Sequence, residues 1–77
     1  MNIKEFLENS IKEKDNIVRV VVQEIGQDTK HTIDTHSDHI YNAIDLFGYI
    51  DIIYTSQRFY DTGMEVTFHI EENPKWH

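Results

Sequence analysis

The chain has 77 residues and no cysteine, and its 14 acidic against 7 basic side chains give a formal net charge of −7. A chain of this size forms one domain with a small core, so we predict a single α+β domain over residues 1–77, with residues 71–77 as a tail. The lack of cysteine excludes disulfides and thiolate metal sites. No apolar run is long enough to cross a membrane, and the opening residues lack the apolar core of a secretion signal. We therefore expect a cytoplasmic protein that does not bind membranes.

The first predicted element is a helix that begins at Ile3. Asn2 is a favourable N-cap, and Glu5 stands where the second half of a capping box is expected. Apolar side chains recur at helical spacing through the segment: Ile3, Phe6, Leu7 and Ile11. This spacing predicts one stripe that faces a core.

Two strands are predicted to follow as a hairpin. The β-branched run from Ile17 to Ile25 is the clearest strand in the chain. Strict alternation places Val18, Val20 and Val22 on one side, and it places Ile17, Arg19, Val21, Gln23 and Ile25 on the other. Residues 26–29 form the turn, and residues 30–34 form the second strand.

The second half of the chain predicts one helix and two more strands. Thr35 or Ser37 is expected to cap a helix that ends at Gly48. A long strand is predicted over residues 49–60, bent or bulged near Ser56, followed by a hairpin loop at residues 61–63. The last strand covers residues 64–70, where the even-numbered side chains are apolar and face inward.

The resulting order, α-β-β-α-β-β, predicts a four-stranded, mostly antiparallel sheet with both helices on one face. The second face would then be uncovered. Strict alternation gives it apolar side chains: Ile17, Val21, Ile25 and Ile53. An exposed apolar patch is typical of an interface, so this face predicts a homodimer or a bound partner.

Acidic charge is concentrated in the second half of the chain. Residues 34–77 hold eight acidic and two basic side chains, and residues 31–57 contain no Lys or Arg. Such a field repels nucleic acid and attracts basic surfaces. We predict that carboxylates here accept hydrogen bonds from Arg and Lys of a partner, in place of DNA phosphates. The predicted partner-binding residues are Asp34, Asp38, Tyr41, Asn42, Asp45, Asp51, Asp61 and Glu65.

Other chemistries find less support in the sequence. His36 and His39 have a spacing that suits one helix face, but a zinc site needs three or four ligands in fixed geometry. The chain has no Gly-rich phosphate loop, no HExxH and no nucleophile elbow. We therefore predict no catalytic residues, no metal and no cofactor. Direct nucleic-acid binding is not predicted either, because acidic residues flank the aromatic ones.

The opening sequence MNIKEFLENSIKEKDNIVRVVV resembles the start of small phage-encoded anti-CRISPR proteins that inhibit type II-A Cas9. The likeness lies in the MNI start, a short helix ending at Lys14-Asp15, and a Val-rich strand. The acidic surplus also matches that class, some members of which occupy the site where Cas9 reads duplex DNA. The likeness covers the first 22 residues and implies a phage-borne inhibitor that acts in a bacterial host.

Two functional hypotheses follow. The first is an acidic inhibitor that binds a basic nucleic-acid-handling protein, with a Cas9-type nuclease as the preferred target, and blocks its nucleic-acid groove. The second is a non-enzymatic homodimeric interaction module that uses the apolar second face of the sheet.

Overall fold

The computed structural model describes residues 1–28, 30–33 and 39–76. Its elements follow the predicted order α-β-β-α-β-β. They are α1 (Ile3–Lys12), β1 (Ile17–Glu24), β2 (Lys30–Ile33), α2 (His39–Phe47), β3 (Tyr54–Tyr60), β4 (Gly63–Ile70) and a short 3₁₀ turn (Pro74–Trp76). None of the described helices is long and apolar enough to span a bilayer.

The strands form one sheet in the order β2-β1-β4-β3. The outer pairs, β1 with β2 and β3 with β4, are antiparallel, whereas the central pair of β1 and β4 is parallel. The predicted α+β class and mostly antiparallel sheet are confirmed. Parallel strands need a connection that crosses over the sheet. Here the chain leaves β2 at one edge of the sheet, passes through α2 to β3 at the other edge, and returns along β4.

Both helices pack on the same face of the sheet. One cluster of buried side chains joins all the layers: Ile3, Leu7, Ile17, Val20, Val22, Ala43, Val66, Phe68 and Ile70. The ring of Phe6 on α1 meets Phe68 on β4 edge to face, with ring centroids 5.1 Å apart. The even-numbered residues of β4 face this core, as the alternation predicts.

The start of α1 matches its prediction closely. The Asn2 side chain accepts a hydrogen bond from the Glu5 backbone N–H at 2.8 Å, and the capping box is complete. The chain then leaves the helix through Lys14, whose positive φ of 59° turns it toward β1. A local cap therefore fixes the first helix independently of the sheet.

A bulge near the start of β1 changes which side chains face the core. Ile17 pairs with Met64, and Arg19 pairs with Glu65, so β1 uses two residues where β4 uses one. The extra residue reverses the alternation, and Ile17 lies in the core with 3% of its surface exposed. The prediction that Ile17 lies on the second face is therefore wrong.

The third strand is shorter than predicted, because residues 50–52 pair with the N-terminus instead of extending β3. The Ile3 N–H donates to the Ile50 carbonyl, and the Ile52 N–H donates to the Met1 carbonyl, both at 3.0 Å. The β3–β4 register is regular from Tyr54 to Tyr60, so this strand has no bulge near Ser56.

The C-terminal segment is packed against the domain, which corrects the prediction of a tail. The Trp76 ring lies 5.8 Å from the Phe47 ring and 4.3 Å from the His31 ring, measured between centroids. These contacts connect the last described turn to α2 and β2. The expected caps of α2, Thr35 and Ser37, lie outside the described residues.

Substitution of Gly63 is expected to destabilise the fold more than substitution of Gly26. Both have positive φ, but a Cβ at Gly63 would lie 2.6 Å from the Asn16 carbonyl oxygen, whereas a Cβ at Gly26 meets nothing within 4 Å. Gly26→Ala should therefore show only the backbone cost of about 1–2 kcal/mol. Gly63→Ala should lower the free energy of unfolding further, as measured by urea unfolding. Equal losses in the two variants would contradict the close approach of β4 to β1.

Candidate partner-binding surface

The two described helices pack on one face of the sheet, and the other face is called here the open face. The strand registers place its side chains in rows across the four strands. They are Arg19, Val21, Gln23, Lys30, Thr32, Tyr54, Ser56, Arg58, Tyr60, Glu65, Thr67 and His69. Most are polar or aromatic, which sets this face apart from the apolar core on the other side.

The open face carries positive charge on a protein that is otherwise acidic. Among the described residues it holds three basic side chains, Arg19, Lys30 and Arg58, and one carboxylate, Glu65. Arg19 Nη1 lies 3.2 Å from Glu65 Oε1. The predicted acidic character is therefore confined to the remaining surface, and Glu65 lies apart from it in an ion pair.

The predicted apolar second face is absent. Ile17 belongs to the core, and Val21 lies on the open face with only 5% of its surface exposed. Ile25 and Ile53 are about half exposed, but both lie just outside the strands, at one end of the sheet. The apolar patch on which the face-to-face homodimer rests is therefore not formed.

His69 is the centre of a small cluster on the open face. Its ring stacks on Tyr54, with centroids 4.1 Å apart and planes inclined by 8°. A hydrogen bond of 2.9 Å joins His69 Nε2 to Ser56 Oγ. Burial, and to a lesser extent the nearby Lys30 ammonium, lowers the pKa of His69 below its usual value of 6.5. The cluster favours a neutral imidazole that fixes the position of the Tyr54 ring.

An open groove of about 470 Å³, called here the acidic groove, lies at the end of the sheet where β4 finishes. It runs between residues 49–53 and residues 71–74. Its lining includes three carboxylates, from Asp51, Glu71 and Glu72, together with the half-exposed side chains of Tyr49 and Ile53. A concave site that combines carboxylates with an aromatic ring suits the planar, cationic guanidinium of Arg.

Both walls of the acidic groove are held by hydrogen bonds to other parts of the chain. One wall is bound to the N-terminus through Ile50 and Ile52. In the other wall, the Asn73 N–H donates to Glu24 Oε2 at 2.9 Å. Glu24 is the last residue of β1 and is 1% exposed. A buried carboxylate is costly unless it is hydrogen-bonded, so this contact ties the second wall to the core.

The structure separates the predicted binding residues. Asp51 lies in the acidic groove, and Asp61 lies in the β3–β4 turn at the opposite end of the sheet. The 8-residue strand β4 separates these ends by roughly 23 Å. Exposed residues on α2 form a third group: Tyr41, Asn42 and Asp45. Glu65 is on the open face, and Asp34 and Asp38 lie outside the described residues.

The histidines proposed for metal binding have other contacts where the structure describes them. His39 Nε2 hydrogen-bonds to the Ile17 carbonyl, and the His31 ring packs on Trp76. His36 lies outside the described residues. Among those described, no three His, Asp or Glu side chains are grouped so that they could hold a metal ion.

Sequence reasoning missed Glu24, Glu71 and Glu72. Glu24 continues the alternation of the core-facing residues Val20 and Val22 on β1, so the sequence pattern indicates that its side chain is buried. Glu71 and Glu72 were assigned to the tail. The nearby Trp76 gave a hint that this segment folds back, because an aromatic side chain of that size gains much from burial.

Comparison of the chain with protein-family models, with characterised proteins and with solved structures finds no match.

Loss of the Glu24 carboxylate is expected to release the second wall of the acidic groove. Glu24→Ala removes the acceptor of the Asn73 N–H and should cost about 1–3 kcal/mol of stability. It should also shift the emission of Trp76, the only tryptophan, toward longer wavelength as the ring becomes hydrated. Glu24→Gln is the matched control, since its amide oxygen can still accept. An unchanged Trp76 spectrum in Glu24→Ala would contradict this anchoring role.

The stability of the fold is expected to fall as the pH drops below about 6.5. The pKa of His69 is lower in the folded state, so the unfolded chain takes up the proton first and is favoured. The urea midpoint should therefore decrease between about pH 7.5 and about pH 5.5. His69→Asn should flatten this dependence, and Lys30→Gln should flatten it in part. The same slope in His69→Asn as in the parent protein would exclude His69 as its source.

Proposed function

We propose that the protein is a non-enzymatic inhibitor that binds a basic, nucleic-acid-handling protein, and that the acidic groove receives basic side chains of that target. The observation that carries the proposal is the grouping of Asp51, Glu71 and Glu72 around one concavity. A groove that excludes part of the solvent strengthens a charge-assisted hydrogen bond relative to one on a flat surface.

The ring of Tyr49 supports the choice of a cationic ligand. Lys75 Nζ of the same chain lies 5.9 Å from the centroid of that ring, within the range of a cation–π contact. The ring is also 60% exposed, so it has room for a second cation. An arginine from a partner could stack on Tyr49 while its guanidinium donates to the neighbouring carboxylates.

The exposed side of α2 extends this surface. Tyr41, Asp45 and Tyr49 follow one another at intervals of four, and all three are exposed. The Gly48 N–H donates to the Ile44 carbonyl at 2.9 Å, which continues the helical turn to the start of the groove. A partner that fills the groove would therefore also meet the predicted residues of α2.

The class of target is proposed from charge and from the opening sequence. Proteins that bind nucleic acid present basic grooves, and an acidic protein gains from the same counterion release as the nucleic acid it displaces. The resemblance of the first 22 residues to Cas9 inhibitors directs the first test to a Cas9-type nuclease. Blocking would be competitive, without chemistry on either partner.

The test is competition with duplex DNA for a Cas9–guide RNA complex, followed by gel shift. Asp51→Lys combined with Glu71→Lys should weaken inhibition by at least about tenfold, or about 1.4 kcal/mol, because two acceptors become repulsive charges. The matched control is Glu8→Lys with Glu13→Lys, which makes the same change of charge at exposed positions on α1 and at its C-cap. Circular dichroism of both variants verifies the fold.

The outcomes distinguish binding in the acidic groove from attraction by net charge alone. A loss confined to the groove variant, together with an affinity that falls steeply with salt, supports the proposal. Equal loss in both variants would assign inhibition to net charge alone. If the parent protein does not compete with DNA, the Cas9-type target is excluded. An arginine-rich peptide then probes the groove directly, and failure to bind this peptide would overturn the proposal that the groove takes a cationic ligand.

A further inference from the structure

The strand β3 is the least covered element of the described chain. It lies at the edge of the sheet and packs chiefly on its neighbour β4. Neither side of it is buried: Phe59 on the helix side is 74% exposed, and Tyr54 on the open face is 52% exposed. Large aromatic residues gain substantially from burial, so an uncovered strand of this composition indicates an interface.

The backbone groups that point outward from β3 can be assigned from its neighbours. The Met64 N–H donates to the Asn16 carbonyl, and the Ile25 N–H donates to the Ile70 carbonyl, so even-numbered residues of β4 bond toward β1. Odd-numbered residues of β4 therefore bond toward β3. The regular register pairs these with the even-numbered residues of β3. The outward N–H and C=O groups consequently belong to Thr55, Gln57 and Phe59.

We propose that a second copy of this chain pairs with β3, antiparallel and about a two-fold axis through Gln57. In this register Gln57 faces its own equivalent, and Thr55 faces Phe59 of the second copy. All three outward residues of each copy then form hydrogen-bonded pairs, because Gln57 is the central one of the three. The two sheets become one continuous sheet, and neither β3 edge remains open.

The side chains of β3 match one another in this register. On the open face, Tyr54 lies opposite Tyr60 of the second copy, and Ser56 lies opposite Arg58. On the helix side, Phe59 covers Thr55. Aromatic pairs across strands stabilise a sheet, whereas like charges placed opposite would destabilise it. Arg58 is the only charged residue of β3 and faces a serine, so no like charges lie directly opposite. The two Arg58 residues are diagonal neighbours, and each is paired across the sheet with Glu65 of its own copy.

Charge opposes a second copy less at β3 than on the acidic surfaces of the chain. The chain carries a net charge of −7, so most of its surface repels another copy. No acidic residue occurs between Asp51 and Asp61, and β3 lies within that interval. The strand also lacks proline and lysine, which protect many natural edge strands from pairing. The proposal is independent of the inhibitor function, since the acidic groove lies outside β3.

Amide hydrogen exchange at several protein concentrations tests the pairing residue by residue. The amides of Thr55, Gln57 and Phe59 should exchange about tenfold more slowly once nine-tenths of the chains are dimeric, because only the monomer exposes them. Those of Ser56 and Arg58, which bond to β4, serve as an internal control and should be protected at every concentration. Exchange at all three outward positions that is fast and independent of concentration would overturn the proposal.

Gln57→Pro removes one outward N–H without removing a bond to β4, and edge strands tolerate proline at such positions. Sedimentation from about 10 μM to about 1 mM should show a dimer for the parent protein and a monomer for this variant. Gln57→Thr keeps the N–H and should remain dimeric. A parent protein that stays monomeric throughout, or a dimer that survives Gln57→Pro, would overturn the proposal.

A cysteine cross-link keeps the test valid if the proline variant fails to fold. The chain has no native cysteine, and paired Cα atoms at Gln57 would lie about 5.5 Å apart, within the range of a disulfide. Gln57→Cys should therefore form a covalent dimer on mild oxidation, whereas Lys12→Cys on α1 should not. Equal cross-linking of both would indicate random collision and would contradict the register.

Discussion

The parallel pairing of β1 with β4 determines most of the features described above. Because the two strands run in the same direction, their carboxyl ends lie at the same end of the sheet. Glu24 and the segment after Ile70 therefore meet, and the Glu24 carboxylate accepts the Asn73 N–H. That contact forms one wall of the acidic groove. The same pairing places the β3–β4 hairpin at the outside of the sheet, where β3 gains a neighbour on one side only.

The sheet places basic and acidic residues on different surfaces of the molecule. Basic residues from the first and second halves of the chain, such as Arg19 and Arg58, meet on the open face through the strand register. Apart from Glu24 and Glu65, the carboxylates of the described residues are exposed and lie on the helices or in the connections between elements. The net charge of −7 therefore understates the negative potential of the helix side and of the acidic groove. A basic partner would approach those surfaces in preference to the open face.

Local signals predicted the elements of the fold, and long-range contacts account for the errors. The Asn2 cap and the alternation of β4 depend on neighbours within a few residues, so the sequence indicates them directly. Ile17 was misplaced because a bulge is set by pairing with a distant strand. Residues 49–53 read as strand, but Ile50 and Ile52 bond to the N-terminus, about fifty residues away. Of the residues that line the acidic groove, Asp51 was predicted to bind a partner, whereas Glu71 was not, because residues 71–77 were predicted to be a tail.

The two proposals meet at one end of β3. In the register centred on Gln57, a residue at position 61 of the second copy comes alongside position 53 of the first. Ile53 lines the acidic groove, and Asp61 is exposed in the hairpin turn. The proposed dimer would therefore bring Asp61 of the second copy to the groove, near Asp51. In one copy these two carboxylates lie at opposite ends of the sheet.

Dimerisation would then reassemble part of the acidic set that the monomer separates, and would present it twice, related by the two-fold axis. A target with two basic sites could engage both grooves, and the second contact would raise the overall affinity through effective concentration alone.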